Sequence, residues 1–460
     1  MYRKRRSIHF VGIGGIGMSG IAEVLHDMGH EVSGSDLAEG AQTRRLAGLG
    51  IRVAIGHDAS QVRGADVVVV SSAVREDNPE VAAARAERIP VIPRAEMLSE
   101  LMRLKTSVAV AGSHGKTSTC SLLGTVLTEG GLDPTLVIGG RVDNLGVNAR
   151  LGRGGYLVAE ADESDGSFLM LSPTVAVVTN IDREHMNYYR DLDHLKETFL
   201  TFMNRVPFYG AAVLCLDDPE VQSLIPRVRK RCVTYGLSAQ SQVTARNVAR
   251  EGWGHCFDLH AGGEALGRLR VNIPGRHNVL NALAAAAVSL EMGVSFEDLR
   301  RGVEGLSGVG RRFERKGEAG GVRVLDDYGH HPTEIRATLS ALAEIFPDSR
   351  RIVLFQPHRH TRTRDLFDEF VRSFNQADLL WVADIYAAGE EPFEGVDSRS
   401  LAEALRSHGH GGARYAGAVC SIPDQVLPGL REGDVILSLG AGNIWEAGVE
   451  ILRRLGGGGA

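Results

Sequence analysis

The chain has 460 residues, enough for two to four domains at ~150 residues each, and 43% hydrophobic against 23% charged residues describes an ordinary folded α/β protein rather than a disordered or fibrous one. Its net charge of -6 argues against bulk affinity for nucleic acid, whose binders carry a basic face. Five cysteines, odd in number and without C-x-x-C spacing, point to reduced thiols, and no run nears the ~18 apolar residues of a membrane span, so a cytoplasmic protein without membrane insertion is expected.

Strand-like and helix-like runs alternate along most of the length, the signature of parallel sheets with helices on their faces. A first unit begins at Ile8-His9-Phe10-Val11-Gly12, continues through Glu31 to Asp36 and Asp66 to Val70, and closes with Val91-Ile92-Pro93 and a helical stretch from Ala95 to Arg103. After its first strand, Gly12-Ile13-Gly14-Gly15-Ile16-Gly17 has glycine at all three positions of G-x-G-x-x-G. Such a turn aims backbone N–H groups and a helix N-terminus at a diphosphate. Asp36 ends the next strand, nineteen residues past Gly17, where a carboxylate can accept a ribose hydroxyl. The same physics serves a nicotinamide dinucleotide, so a dehydrogenase stays open on this loop alone.

A second unit starts at Ser107. Val108-Ala109-Val110 reads as a buried strand, and Ser121 to Leu127 carries helical apolar spacing. Between them Gly112-Ser113-His114-Gly115-Lys116-Thr117-Ser118 is a shortened phosphate loop, G-x-x-G-K-T, with Val110 standing where the longer pattern has glycine. Lys116 offers a point charge to the outer phosphates of a nucleotide, and Thr117 a hydroxyl to Mg²⁺. Two later strand ends are chemically loaded. Glu160-Ala161-Asp162-Glu163-Ser164-Asp165 sets four carboxylates together, with Glu160 placed to meet a metal held by Thr117. His185, at the end of Thr179 to His185, can ligate a divalent ion if neutral. Residues 243 to 273 read as a few antiparallel strands and His277 to Met292 as an Ala-rich helix, where Asn278 is either a helix cap or a contact to a nucleotide base.

The third unit follows Gly310-Arg311-Arg312-Phe313-Glu314, read as a hinge from which Arg312 reaches across a cleft. Its strands are Val322 to Asp326, Arg351 to Phe355, Leu379 to Ala383 and Asp434 to Leu439. Asp326-Asp327-Tyr328-Gly329-His330-His331-Pro332 joins carboxylate, phenol and imidazole where a strand gives way to a helix. The basic run Gln356 to Arg364 places Arg359 and Arg362 three apart at a helix start, suited to a carboxylate or phosphate. Gly456 to Ala460 is expected to be a disordered tail.

In this order the segments resemble the Mur ligase family over essentially the whole chain. Gly12 to Glu23 and Asp326 to Pro332 are similar to the branch that joins L-alanine to UDP-N-acetylmuramate. The resemblance implies an α/β protein of three domains: an N-terminal Rossmann-like UDP-sugar domain over 1–106, a central P-loop ATPase domain over 107–314 and a C-terminal Rossmann-like domain over 315–460. It implies ATP and Mg²⁺, with Mn²⁺ as a substitute, UDP-N-acetylmuramate and L-alanine as partners, and a monomer or weak homodimer.

Carried over by position, Gly112 to Ser118 fall on the family's ATP loop and Thr117, Glu160 and His185 on its metal ligands. His277, Asn281, Arg312 and Asp326 fall on the nucleotide side. Gly14, Gly15, Gly17, Asp36, Ser71 with Ser72, Tyr328, Arg359 and Arg362 fall on the UDP-sugar and amino-acid side. Lys116, His330 and Arg359 are expected in the chemistry, with His330 or a nearby carboxylate as base for the incoming amine. Asn187 and His360 depart from the family's usual aspartate and aromatic ring. The alternatives are a ligase attaching a recycled peptide to the same sugar, a nicotinamide dehydrogenase, and a non-catalytic nucleotide switch.

Overall fold

The computed structural model describes residues 5–71, 73–142 and 147–457; Ser72 and the tail residues Gly458 to Ala460 lie outside them. The chain divides into two compact units, Met1–Asn247 with Phe257–Leu269 and Leu280–Leu306, and Val248–Cys256 with Arg270–Val279 and Ser307–Ala460.

The first unit opens with β1 (Ser7–Val11), β2 (Glu31–Asp36), β3 (Arg52–Ile55), β4 (Val67–Val70) and β5 (Val91–Pro93), in the order β3-β2-β1-β4-β5, every pair parallel. The chain works outward from β1 and then returns to its other side, so the crevice at the strand ends lies between β1 and β4, where the first glycine loop emerges. A buried network braces this sheet. The Glu80 carboxylate, fully buried, accepts from Ser35 Oγ at 2.9 Å and lies 2.7 Å from His9 Nε2 and 2.8 Å from His57 Nδ1. Those bonds outweigh its burial and hold the carboxyl below its ordinary value.

The next strands are β6 (Thr106–Ala111), β7 (Thr135–Val142), β8 (Val147–Arg150), β9 (Tyr156–Glu160), β10 (Val175–Val178), β11 (Ala211–Cys215) and β12 (Cys232–Gly236). They run β12-β11-β10-β6-β9-β7-β8, parallel except for β8 against β7. β6 is therefore central. Its Val108 to Ala111 are fully buried, as the continuous apolar run requires of a strand covered on both faces. Three further strands, β13 (Val243–Glu251), β14 (Gly254–Ala261) and β15 (Glu264–Val271), follow at the β12 edge, their residues shared between the units.

Helix α1 (Ile16–Asp27) ties the two sheets of the first unit together. It buries Met18, Ile21, Val24 and Leu25, and a Cβ at its Gly20 would fall 3.0 Å from that of Ala149, so glycine is what lets the helix back onto β8. One apolar cluster consequently runs from Phe10 and Ile21 through Ala149 to Phe168 and Phe199.

The second unit holds β16 (Glu314–Ala319), β17 (Val322–Asp327), β18 (Arg351–Phe355), β19 (Leu379–Ala383), β20 (Ala413–Gly417) and β21 (Val435–Leu439), ordered β16-β17-β21-β18-β19-β20 with only the β16 edge antiparallel. Alternation along β17 and β18 sends Leu325, Val353 and Phe355 into one core and Val324, Ile352 and Leu354 into the other. The segment read as a hinge is fastened to β17. Phe313 N donates to Asp327 Oδ2 at 2.8 Å, Tyr328 N to the Arg311 carbonyl at 2.7 Å, and Arg311 Nε to Asp326 Oδ2 at 3.1 Å. Among the described residues no helix is long and apolar enough to cross a membrane. All five cysteines are free thiols.

Candidate nucleotide and metal site

β6 ends at Ala111 and α2 (Lys116–Glu129) begins after four intervening residues, so the glycine-rich segment is a tight strand-to-helix turn. Gly112 has φ +131° and a Cβ there would overlap Thr179 Oγ1; Gly115, the helix N-cap, has φ +82°. Side chains at either place would be strained. The segment after β10 grips the turn: Ser113 N donates to the Asn180 carbonyl at 3.1 Å, His114 N to Asn180 Oδ1 at 2.8 Å, Thr179 Oγ1 to the His114 carbonyl at 2.6 Å, and Asp182 N to Ser113 Oγ at 2.8 Å. α2 has no capping side chain and no acid in its first turn, where Thr117 and Ser118 sit, so its leading N–H groups and dipole suit an anion. From the helix Arg276–Glu291, Asn281 Oδ1 accepts from Thr119 Oγ1 at 3.3 Å and sits beside Gly115.

Lys116 turns back over its own loop. Nζ donates to the Gly112 carbonyl at 2.6 Å and lies 2.8 Å from both oxygens of Glu163, a side chain only 1% exposed. Burial opposes the charged ammonium, but Glu163 outweighs it and holds the lysine up at about 12. Burial pushes the Glu163 carboxyl up to about 7; Lys116 pulls against this, while Asp162 and Glu184 add to it. His185, whose backbone has φ +58°, brings Nε2 to 3.7 Å from Glu163 and 3.6 Å from Glu184. Glu163, Glu184 and His185 each present a ligand atom within 4.8 Å of the others. Two carboxylates and an imidazole so placed fit a divalent cation. The three ligands expected from sequence were Thr117, Glu160 and His185. Of these, His185 belongs to this group, and Glu163 meets it from the turn after β9.

The first glycine loop is held by Gly12 N and Ile13 N on the Ser35 carbonyl, both at 2.9 Å, and by Gly14 N on Asp36 Oδ2 at 2.8 Å. Asp36, expected at a ribose, thus braces the loop with one oxygen. Gly14, Gly15 and Gly17 are half-buried or exposed, α1 is uncapped by any side chain, and Ser71 packs beside Gly12. Arg94, which opens the helix Arg94–Met102, lies against Gly17 and donates to Asp162 Oδ2 at 3.2 Å.

In the second unit, the ends of β17 and β18 gather the remaining residues. Arg311 and Arg312 lie over the Tyr328 ring at 5.1 and 5.2 Å, the Tyr328 and His330 rings are 5.4 Å apart, and His330 stands 5.6 Å from His358. Arg362 Nη1 donates to the His358 carbonyl at 3.1 Å, and Arg359, with φ +71°, lies 3.4 Å from Glu390. Asp326 is fully buried on Arg311; burial pushes it up to about 6 although Arg311 draws it down. His277 lies beside Gly275 and 3.1 Å from Asn278, which donates through Nδ2 to the Pro274 carbonyl at 2.6 Å, a bond opposite in direction to that of an N-cap side chain. Sequence reasoning missed Glu184, Arg94 and Arg311 as site residues. Arg94 and Asp162 are 68 positions apart, and no local pattern marks such a pair.

Family profiles match three stretches: the Mur ligase family catalytic domain over residues 7–106, the Mur ligase middle domain over 110–289, and the Mur ligase glutamate ligase domain over 311–442. A UDP-N-acetylmuramate–L-alanine ligase of Desulfotalea psychrophila is 56% identical over 99% of this chain and 100% of its own. One of Geobacter sp. strain M21 is 55% identical over 99% of both. Among solved structures, a UDP-N-acetylmuramate-alanine ligase from Thermotoga maritima superposes with a TM-score of 0.82 at 30% identity, covering 98% of this chain and 99% of that one. A murein peptide ligase from Psychrobacter arcticus reaches 0.72 at 24% identity over 99% and 100%, a likeness of fold.

Proposed function

Since the chain belongs to the Mur ligase family, we propose a division of labour among its residues for the reaction its relatives catalyse. The chain is an ATP-dependent ligase that joins L-alanine to the lactyl carboxylate of UDP-N-acetylmuramate in peptidoglycan synthesis. The recycled-peptide alternative is not favoured, because relatives more than half identical over nearly the full length are alanine ligases.

A carboxylate is a poor acyl donor, since its leaving group would be oxide. In our reading its oxygen attacks the γ-phosphorus of ATP and ADP leaves; the alanine amine then attacks the acyl carbon, phosphate leaves, and the amine proton passes to a base. The observation that carries this reading is the meeting of Lys116, Glu163 and His185 at a gripped phosphate loop. Lys116 exchanges Glu163 for the transferring phosphoryl group and neutralises charge there, while the leading N–H groups of α2, with Thr117 and Ser118, cradle the phosphates. Glu163, Glu184 and His185 would hold the divalent cation, with Thr117 and Glu160 as further donors; carboxylate and hydroxyl oxygens suit Mg²⁺ and Mn²⁺ alike. Such a cation supplies charge screening between carboxylate and phosphate.

The first glycine loop, with Asp36 and Ser71, takes the UDP end. Arg359 and Arg362 take anionic groups of substrate or intermediate, Tyr328 and Arg312 frame that site, and His330 accepts the amine proton. His277, Asn281 and Asp326 serve the nucleotide side. Residues 1–106, 107–314 and 315–460 are the working division of these tasks, and a cytoplasmic location, where ATP and reduced thiols occur, fits them. The test is phosphate release with UDP-N-acetylmuramate and either L-alanine or the murein tripeptide. Release with alanine, absent without the UDP-sugar, is expected; release with tripeptide alone would overturn the assignment.

A further inference from the structure

Arg94 follows Pro93 directly, and its guanidinium rests on the first turn of α1: a Cβ at Gly17 would fall 2.6 Å from Nη1 and 3.3 Å from Cζ. The third glycine of the G-x-G-x-x-G turn therefore makes room for a cation. The same guanidinium donates through Nη2 to Asp162 Oδ2, whose partner oxygen accepts from Ser164 N at 3.1 Å. Asp162 adjoins Glu163, the residue that holds Lys116, and its charge is felt by both. One side chain thus touches the mouth of the first glycine loop and the acidic turn beside the phosphate loop.

The pair is open to water, with Arg94 25% and Asp162 45% exposed, and ion pairs so exposed add little to stability. A staple is therefore a weak account of it. A guanidinium fork binds a diphosphate through paired charge-assisted bonds, and here it already lies where a diphosphate on α1 would sit.

We propose that Arg94 is a cation shared by the two sites: when the UDP-sugar binds, its fork turns to the diphosphate, and Asp162, released, lends its full negative charge to the cluster of Glu163, Glu184 and His185. Occupancy of the sugar site then favours the cation-bearing nucleotide. By linkage the nucleotide favours the sugar to the same degree. Arg94 is a substrate-binding residue here and Asp162 a positioning one. The inference rests on the ligase reading, and its test separates the two.

Calorimetric titration of UDP-N-acetylmuramate into the full chain, with and without the Mg²⁺ complex of the β,γ-imido analogue of ATP, reads the coupling as a ratio of Kd values. The wild type should show a ratio of about five or more. Asp162→Asn should bind UDP-N-acetylmuramate alone at least as tightly as wild type, with the ratio falling to about one. Arg94→Ala should weaken binding of the UDP-sugar alone by about ten-fold or more and also lose the coupling, while Arg94→Lys recovers part of the affinity and serves where the alanine variant fails to fold. A wild-type ratio retained by Asp162→Asn, or wild-type affinity in Arg94→Ala, overturns the proposal. Wild-type chain that binds the sugar with a ratio of one overturns the coupling alone; failure to bind the sugar overturns the ligase reading with it.

Discussion

Replacing Glu163 by glutamine separates two physical accounts of its buried pair with Lys116. Geometry alone describes an ion pair, both carboxylate oxygens lying 2.8 Å from Nζ. Desolvation acts the other way, and with the repulsion of Asp162 and Glu184 it pushes the carboxyl from 4.5 up to about 7. A carboxyl raised in the folded state binds its proton more tightly there, so its contribution to stability is complete below about 4.5 and is lost as pH rises through about 7. At about 1.4 kcal/mol per pH unit, the rise from 4.5 to about 7 amounts to about 3 kcal/mol. Glutamine has no such proton. Whatever Glu163→Gln costs at about pH 5, that cost should therefore shrink by about 3 kcal/mol at about pH 8. Lys116, held up at about 12, stays charged throughout this window in the wild type and adds no slope of its own. Urea titrations of both proteins in the presence of EDTA give the two curves. A cost that stays flat or grows between about pH 5 and 8 would refute the reasoning, because it would mean that Lys116 dominates and holds the carboxyl at or below 4.5.

Lys116→Ala should lower kcat by roughly 10² to 10³, the usual loss of one transition-state charge contact, while UDP-N-acetylmuramate still binds with wild-type affinity by calorimetry; equal loss of both would move Lys116 out of the chemistry. Gly112→Ala meets Thr179 Oγ1 in a left-handed backbone and should destabilise by about 2 kcal/mol or more, so a variant with wild-type Tm would contradict the turn described above. Glu80→Ala leaves His9, His57 and Ser35 facing a lost carboxylate and should cost about 3–5 kcal/mol at neutral pH. Because hydrogen bonds hold the Glu80 carboxyl below 4.5, its stabilisation is present above that value and is lost as pH falls through the lower folded one; acid unfolding curves of wild type and variant should converge.

Local chemistry made much of this protein legible. Apolar runs such as Val67 to Val70 and Arg351 to Phe355 became strands because a parallel strand covered on both faces must be continuously hydrophobic. The phosphate loop was readable because Gly112 and Gly115 take backbone angles that few other residues tolerate. Short or polar strands escaped: Arg52–Ile55 and Glu314–Ala319 are edges of their sheets, with little burial to impose a pattern. At the metal-competent cluster, the position of Glu160 at the strand end singled it out among four neighbouring carboxylates. The path of the turn after β9 brings Glu163 to His185 and Lys116, a meeting that no pattern along the chain marks.

What the sequence by itself determined is therefore the set of α/β units, their order, and the glycine-rich turns from strand to helix, since these follow from periodicity and backbone freedom within a few residues. What only the tertiary structure decided is which charges face one another. The pairing of Lys116 with Glu163 spans 47 positions and that of Arg94 with Asp162 spans 68. Such pairings depend on how strands are ordered in a sheet and how two sheets share the face of α1, and the energies of buried or shared charges follow from those distances rather than from neighbours along the chain.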